Sequence, residues 1–220
     1  MSTHVSESVT APKAKPEVIK SYAPATGELL GEVPVMSAEE VRAAVTRARR
    51  AQASWGALPV EERCDRVLRY RDALIARDEE LTELLSREAG KPKIEALLHE
   101  FGAAATIATY FAKVAPSVLA PQEVPLTLMK HKKSILHYVP RGVVGLITPW
   151  NYPALMPLRD ALIALIAGNA VVIKPSEITP LIAVRFKEVW DQAGLPPDLL
   201  QVVTGYGPTA AALLDAGIDY

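Results

Sequence analysis

The sequence predicts an α/β protein in which a block of helices precedes a buried parallel sheet, and three observations carry that expectation. Apolar residues recur at helical spacing between Ser37 and Ala112. Beyond Val143 the pattern changes to short β-rich runs separated by apolar-patterned helices. Those runs, Val143–Thr148, Ala170–Lys174 and Leu200–Thr204, start 27 and 30 residues apart, which is the size of βαβ units. The strands should therefore lie parallel, buried on both faces and joined by right-handed crossovers.

Composition narrows the function. The chain has 220 residues, 24 Lys and Arg against 25 Asp and Glu, and one cysteine. That length buries a sizeable core without staples. A net charge of −1 argues against nucleic acid or an anionic membrane as a partner. Cys64 alone makes neither an intrachain disulfide nor a multi-thiolate metal site, so no metal is expected and a reducing, cytoplasmic setting is. The longest apolar run, Ala161–Ala167, falls far short of the ~20 residues that a membrane span needs.

The elements follow in order. Residues 1–20 are polar, with scattered Pro and Lys, and read as a flexible tail. Residues 21–125 form the helical part. Ser37 with Glu40 makes a capping box ahead of the stripe Val41, Ala44, Val45 and Ala48. Pro59 opens a second helix with Cys64, Val67, Leu68, Leu74 and Ile75 inward. A short helix through Leu81, Leu84 and Leu85 ends at Gly90, and a longer one runs from Pro92 to Ala112. Pro116, Pro121 and Pro125 then interrupt regular structure. Residues 126–140 hold a polar strand, Leu126–Val139, whose Lys130-His131-Lys132-Lys133 run blunts an exposed edge. Residues 141–220 make an incomplete Rossmann-like sheet. Its first helix spans Tyr152–Ala167, its last Pro208–Ala216, and Ile218-Asp219-Tyr220 starts a fourth strand.

Ligands of open parallel sheets sit beyond the carboxyl ends of the strands. Those ends are Thr148-Pro149-Trp150-Asn151-Tyr152-Pro153, Lys174-Pro175-Ser176-Glu177 and Thr204-Gly205-Tyr206-Gly207-Pro208. Gly205, Gly207 and Ala210 give G-x-G-x-x-A, which superficially fits a dinucleotide fingerprint. The first βα turn lacks the glycine cradle of that fingerprint, so plain turn chemistry accounts for these glycines equally well. Asn151 suits either a neutral hydrogen-bond donor to developing charge or the cap of the helix after it. Lys174 and Glu177 read as a ligand-holding pair or as a solvated loop. Arg159 lies about two turns beyond Asn151 on an almost wholly apolar helix, where an unpaired charge is costly. Its partner is Asp160, another acid, or an anionic ligand.

Gly142-Val143-Val144-Gly145 through Thr148-Pro149-Trp150-Asn151-Tyr152-Pro153, followed by Ala167-Gly168-Asn169-Ala170-Val171-Val172-Ile173-Lys174-Pro175-Ser176-Glu177, resembles the aldehyde dehydrogenase superfamily. The likeness reaches upstream from Pro24-Ala25-Thr26-Gly27 through Glu88-Ala89-Gly90-Lys91-Pro92 to Glu100, and downstream to Gly207. It implies NAD(P)-dependent oxidation of an aldehyde to a carboxylic acid through a cysteine thiohemiacetal. Asn151 then helps hold the oxyanion. Lys174 and Glu177 hold the adenosine ribose, and Ile147, Thr148, Trp150 and Asn151 line the cofactor cleft, with Gly207 close to the adenine. Glu177 repels a 2′-phosphate whereas Lys174 and Ser176 accommodate one, so NAD and NADP both stay open.

In the subfamily that oxidises succinate semialdehyde, an arginine at the position of Arg159 grips the substrate carboxylate. Asp160 departs from the basic residue that follows there. The polar strand matches an arm that joins subunits, which implies a homo-oligomer. The superfamily's cysteine nucleophile and glutamate base lie beyond the position matching Tyr220. The resemblance therefore implies the amino-terminal portion of such an enzyme, without its catalytic domain and inactive alone. A non-enzymatic nucleotide-binding or assembly module of the same fold is the alternative.

Overall fold

In the computed structural model, which describes residues 17–220, the first element is an antiparallel hairpin of β1 (Val18–Tyr22) and β2 (Leu29–Pro34). This corrects the sequence reading of a tail to residue 20 and a purely helical stretch after it. The inward residues of β1 are Ile19 and Ser21, so one of the two buried positions is polar and no apolar alternation shows in the sequence. The rest of the expected tail lies outside the described residues.

Helix α1 (Ala38–Gly56) begins with the expected capping box: the Glu40 N–H donates to Ser37 Oγ (3.3 Å) and the Ser37 N–H to Glu40 Oε2 (2.7 Å). Its stripe of Val41, Ala44, Val45 and Ala48 is buried. Helix α2 (Val60–Ile75) turns Cys64, Val67 and Leu74 inward, whereas Ile75, its last residue, is half exposed rather than core. Helix α3 (Asp78–Ala89) ends at Gly90, whose φ of 68° is left-handed. A continuous helical stretch follows: α4 (Lys93–Glu95), a π-helical segment (Ala96–Gly102) and α5 (Ala103–Val118). It outruns the expected end at Ala112 because Pro116 falls in the last turn, where it removes a single backbone bond.

The polar segment is a hairpin, not one strand. β3 (Gln122–Val124) pairs antiparallel with β4 (Ser134–Leu136). Pro125 and Met129, at φ 59°, break the chain between them. The Lys130–Lys133 run therefore sits in the connecting loop, off any strand edge.

The sheet carries β5 (Val143–Ile147), β6 (Ala170–Lys174) and β7 (Leu200–Val202) in parallel, in that order. All five residues of the central β6 are buried. Helices α6 (Leu155–Ile166), α7 (Pro180–Gln192) and α8 (Gly207–Asp215) connect and follow the strands. At the outer edge of β5 the Asp219 N–H donates to Val143 O and the Gly145 N–H to Tyr220 O, both at 2.8 Å, as the onset of a fourth strand would. Aromatic anchors join the helical block to the sheet layer. Trp55 Nε1–H donates to Leu165 O (2.8 Å), and the Tyr70 hydroxyl, edge-on to Trp190, donates to Phe186 O (3.0 Å).

Candidate functional site

The sheet brings its three strand ends to one edge. Ile147 pairs with Lys174, and the Thr148 N–H donates to Lys174 O (3.1 Å), which sets the first two ends side by side. The third is fixed from the other flank. The Val203 N–H donates to Ile173 O (2.8 Å), and the Thr204 hydroxyl donates to Pro34 O (2.6 Å) at the end of β2.

Along this edge Ile147 and Trp150 are half exposed although large and apolar, and Thr148 is partly buried between them. Asn151 is exposed, and among the described residues its side-chain amide has no hydrogen-bond partner. It does not cap α6. That helix starts at Leu155, three residues later than its sequence pattern suggests, and its N-cap residue is Ala154.

The cap comes from elsewhere. Glu100, fully buried on the π-helical segment, accepts the Ala154 and Leu155 N–H groups on Oε2 (2.7 and 3.1 Å). Its Oε1 is ion-paired with Lys91, whose Nζ also donates to Asn151 O (2.9 Å) and lies 4.8 Å from the Tyr152 ring centroid. Helix α7 borrows its cap in the same way. The Leu181 and Ile182 N–H groups donate to the two Glu88 oxygens (2.8 and 3.0 Å), and the Ser21 hydroxyl donates to Oε1 (2.8 Å). Burial pushes the Glu88 carboxyl up, against the lowering effect of these three donors. Sequence reasoning assigned neither glutamate a role. The available signal was an acid on an inward stripe: Glu88 follows Leu81 and Leu85, and Glu100 follows Ala96.

At the second strand end the Lys174 side chain is 5% exposed, and its Nζ lies 3.3 Å from Glu177 Oε2. The Glu177 carboxyl is held below its usual range by its own backbone N–H and then by Lys174. Ser176 Oγ accepts the Ile178 N–H (3.2 Å), which leaves its hydroxyl proton free to donate. At the third end Gly205 has φ 156°, and a Cβ there would meet Thr209 Oγ1 at 1.8 Å, so turn geometry alone demands glycine. Gly207 is different: nothing lies within 4 Å of the position a Cβ would take. A nearly buried ammonium with one carboxylate partner suits a ligand rich in hydroxyl groups.

Arg159 has an anionic partner next to it. Its Nε and Nη2 donate to Asp160 Oδ1 and Oδ2 (2.7 and 3.2 Å) in a partly exposed pair, and these hydrogen bonds raise the guanidinium pKa. Of the partners that the sequence allows, Asp160 is the one that Arg159 meets here. Cys64 is buried, and burial pushes its thiol up. Among the described residues no group of three His, Cys, Asp or Glu could hold a metal ion, and no helix is long and apolar enough to cross a membrane.

The sequence profile described as "Aldehyde dehydrogenase family" matches residues 10–217. The chain belongs to this family. A Mycobacterium ulcerans protein, provisionally named succinate-semialdehyde dehydrogenase, NADP(+), 2, is 42% identical over 195 residues, covering 89% of this chain and 38% of that protein. The chloroplastic betaine aldehyde dehydrogenase of Beta vulgaris is 40% identical over 206 residues, covering 89% of the chain and 40% of the relative. Among solved structures, a Mycobacterium tuberculosis aldehyde dehydrogenase complexed with NAD+ superposes with a TM-score of 0.84 at 34% identity, over 93% of this chain and 42% of that one. The α/β fold read from the sequence is thus that of solved aldehyde dehydrogenases. The chain spans about two-fifths of the length of these relatives.

Proposed function

We propose that the three strand ends form the cofactor-facing and oxyanion part of an NAD(P)-dependent aldehyde dehydrogenase, cytoplasmic and homo-oligomeric. The observation that carries this reading is Asn151: an exposed neutral amide, free of any capping duty, in the segment that leaves β5 where Thr148 meets the end of β6. Its Nδ2–H donates to the aldehyde oxygen as negative charge develops there, and it does so without titrating. Lys174 donates to, and Glu177 accepts from, the ribose hydroxyls, while Ile147, Thr148 and Trp150 line the cleft and Gly207 admits the adenine. NAD(P), when bound, supplies the hydride acceptor. NAD and NADP both stay candidates: one relative carries NADP(+) in its name and one solved structure holds NAD+.

Succinate semialdehyde is the proposed substrate, on the strength of Arg159 and of the M. ulcerans relative's name. Forty per cent identity to a relative named for betaine aldehyde shows that identity alone does not separate substrates. Arg159 would have to share its guanidinium between Asp160 and the substrate carboxylate. For the subunit-joining arm, the support is the β3–β4 hairpin, whose loop and flank expose Leu128 at 82% and Val139 at 80%. One observation favours the non-enzymatic module: the sole thiol, Cys64, is buried.

The test is turnover. Purified 220-residue chain should give no aldehyde-dependent NAD(P)H, because a thiolate nucleophile is missing; turnover would overturn the assignment of roles. In a catalytically complete polypeptide containing these residues, Asn151→Ala should lower kcat by about 10²-fold or more. Unchanged turnover would remove Asn151 from the chemistry. Glu177→Gln should shift preference toward NADP by ~5-fold, the scale of one exposed charge, read as the ratio of the two cofactor affinities by calorimetry. Arg159→Ala should cost about 1.5–3 kcal/mol in kcat/KM for succinate semialdehyde and little for an uncharged aldehyde of equal length. Equal losses on both would make Arg159 structural.

A further inference from the structure

Capping α6 requires one oxygen of Glu100, and Oε2 does that work alone. Oε1 is spent on something else. It meets Lys91, whose ammonium touches no N–H of α6 and reaches the Asn151 carbonyl and the Tyr152 ring instead. Burying a cation is costly, and a cap has no use for one, as Glu88 shows by serving α7 with neutral donors only. We infer that Lys91 and Glu100 are a positioning pair, which holds the exposed segment Asn151–Tyr152 in place and so aims the Asn151 amide.

The pair is itself held from behind. Lys91 follows the left-handed Gly90, and the Ser86 hydroxyl donates to Lys91 O (2.7 Å), tying its backbone to α3. Glu100 sits on the π-helical segment, whose wider turn is a common device where a helix must present a side chain out of ordinary register. The Lys91 side chain is 16% exposed and that of Glu100 is 0% exposed, so both conformations are packed rather than chosen by solvent. Segment 150–153, in contrast, has no helix or strand of its own to fix it. The consequence for catalysis rests on the oxyanion reading of Asn151 given above.

The test compares Lys91→Met with Glu100→Gln in the 220-residue chain by nitrogen-15 NMR and amide exchange. Gln keeps an oxygen for the Ala154 and Leu155 N–H groups but no charge for Lys91. Met keeps the lysine stem and leaves Glu100 intact. Both variants should shift the Asn151 side-chain amide signal and the Tyr152 ring signals, because Lys91 reaches the Asn151 carbonyl and that ring, while the Ala154 and Leu155 amides stay protected from exchange in Glu100→Gln. Unmoved Asn151 and Tyr152 signals in both would overturn the inference. Should either variant not fold, the unaltered chain decides: the Lys91 ammonium must give a slowly exchanging signal in contact with the Tyr152 ring protons, and its absence refutes the pairing.

In a catalytically complete polypeptide containing these residues, Lys91→Met should lower kcat by roughly 10- to 100-fold, the scale of a small misplacement of a reacting group, with the cofactor KM unchanged. If Asn151→Ala lowers kcat and Lys91→Met does not, the positioning role is wrong. If Asn151→Ala is inert while the loop signals still move, the oxyanion reading fails and the anchorage of the loop stands.

Discussion

Helices α6 and α7 are successive crossovers of one sheet, and both begin without a side-chain cap of their own, yet the buried acids that serve them are wired differently. Glu88 divides its oxygens among Leu181, Ile182 and Ser21, and so ties α7 to the β1–β2 hairpin. The residues at that helix start, Thr179 and Pro180, are buried. Glu100 serves α6 with one oxygen and a lysine with the other, and the residues just ahead of that helix, Trp150, Asn151 and Tyr152, are exposed. The difference separates two uses of one device. A neutral-donor cap fastens architecture; a cap with a cation attached also reaches the exposed loop ahead of its helix, through the Asn151 carbonyl.

Truncating the acids should break this symmetry. Glu100→Ala leaves the Lys91 ammonium without its counter-charge and two amides without an acceptor, so the expected loss is ~3–5 kcal/mol, read by denaturant titration. Glu88→Ala strands only neutral donors and should cost less, about 1–3 kcal/mol. Its amide exchange should quicken at Leu181, Ile182 and across the β1–β2 hairpin, and stay slow at Ala154. Equal losses in the two variants would mean that the Lys91 contact adds nothing to the cap.

The same contrast explains what the sequence could reveal. The capping box of α1 is legible because Ser37 and Glu40 stand three residues apart, within the reach of a local rule. The strands β5 to β7 are legible because their β-branched runs and spacing need no partner to be recognised. The caps of α6 and α7 are not, since Glu100 finds Ala154 across 54 residues and Glu88 finds Leu181 across 93. That blindness propagated into the site. An apolar pattern from Tyr152 onward suggests a helix with Asn151 as its cap, but where α6 starts is decided by Glu100, which releases Asn151 from that duty. The β1–β2 hairpin escaped for a related reason, its inward Ser21 being satisfied by the same distant Glu88. The strand-end segments stand out in the sequence because topology, not side-chain partners, sets where ligands of such sheets bind.

The smallest expected effect is also the most specific to the α7 cap. Burial raises the Glu88 carboxyl above its ordinary value of 4.5, with the Leu181, Ile182 and Ser21 donors opposing. A carboxyl raised in the folded state binds its proton there at a pH where the unfolded chain has released it, so folding is favoured as pH falls. The stabilisation is complete below the unfolded value and is lost as pH rises through the folded one. Glu88→Gln removes the titration while keeping one oxygen for the α7 amides. Urea titrations of both chains at several pH values from neutrality down to that ordinary value should therefore show the wild type gaining on Glu88→Gln as the medium acidifies, with the difference levelling off below it. The gain should be smaller than either alanine loss, because three donors that favour the carboxylate counteract its burial. A difference that stays flat or shrinks on acidification would mean that hydrogen bonding outweighs burial at Glu88, and the two caps would then differ by the lysine alone.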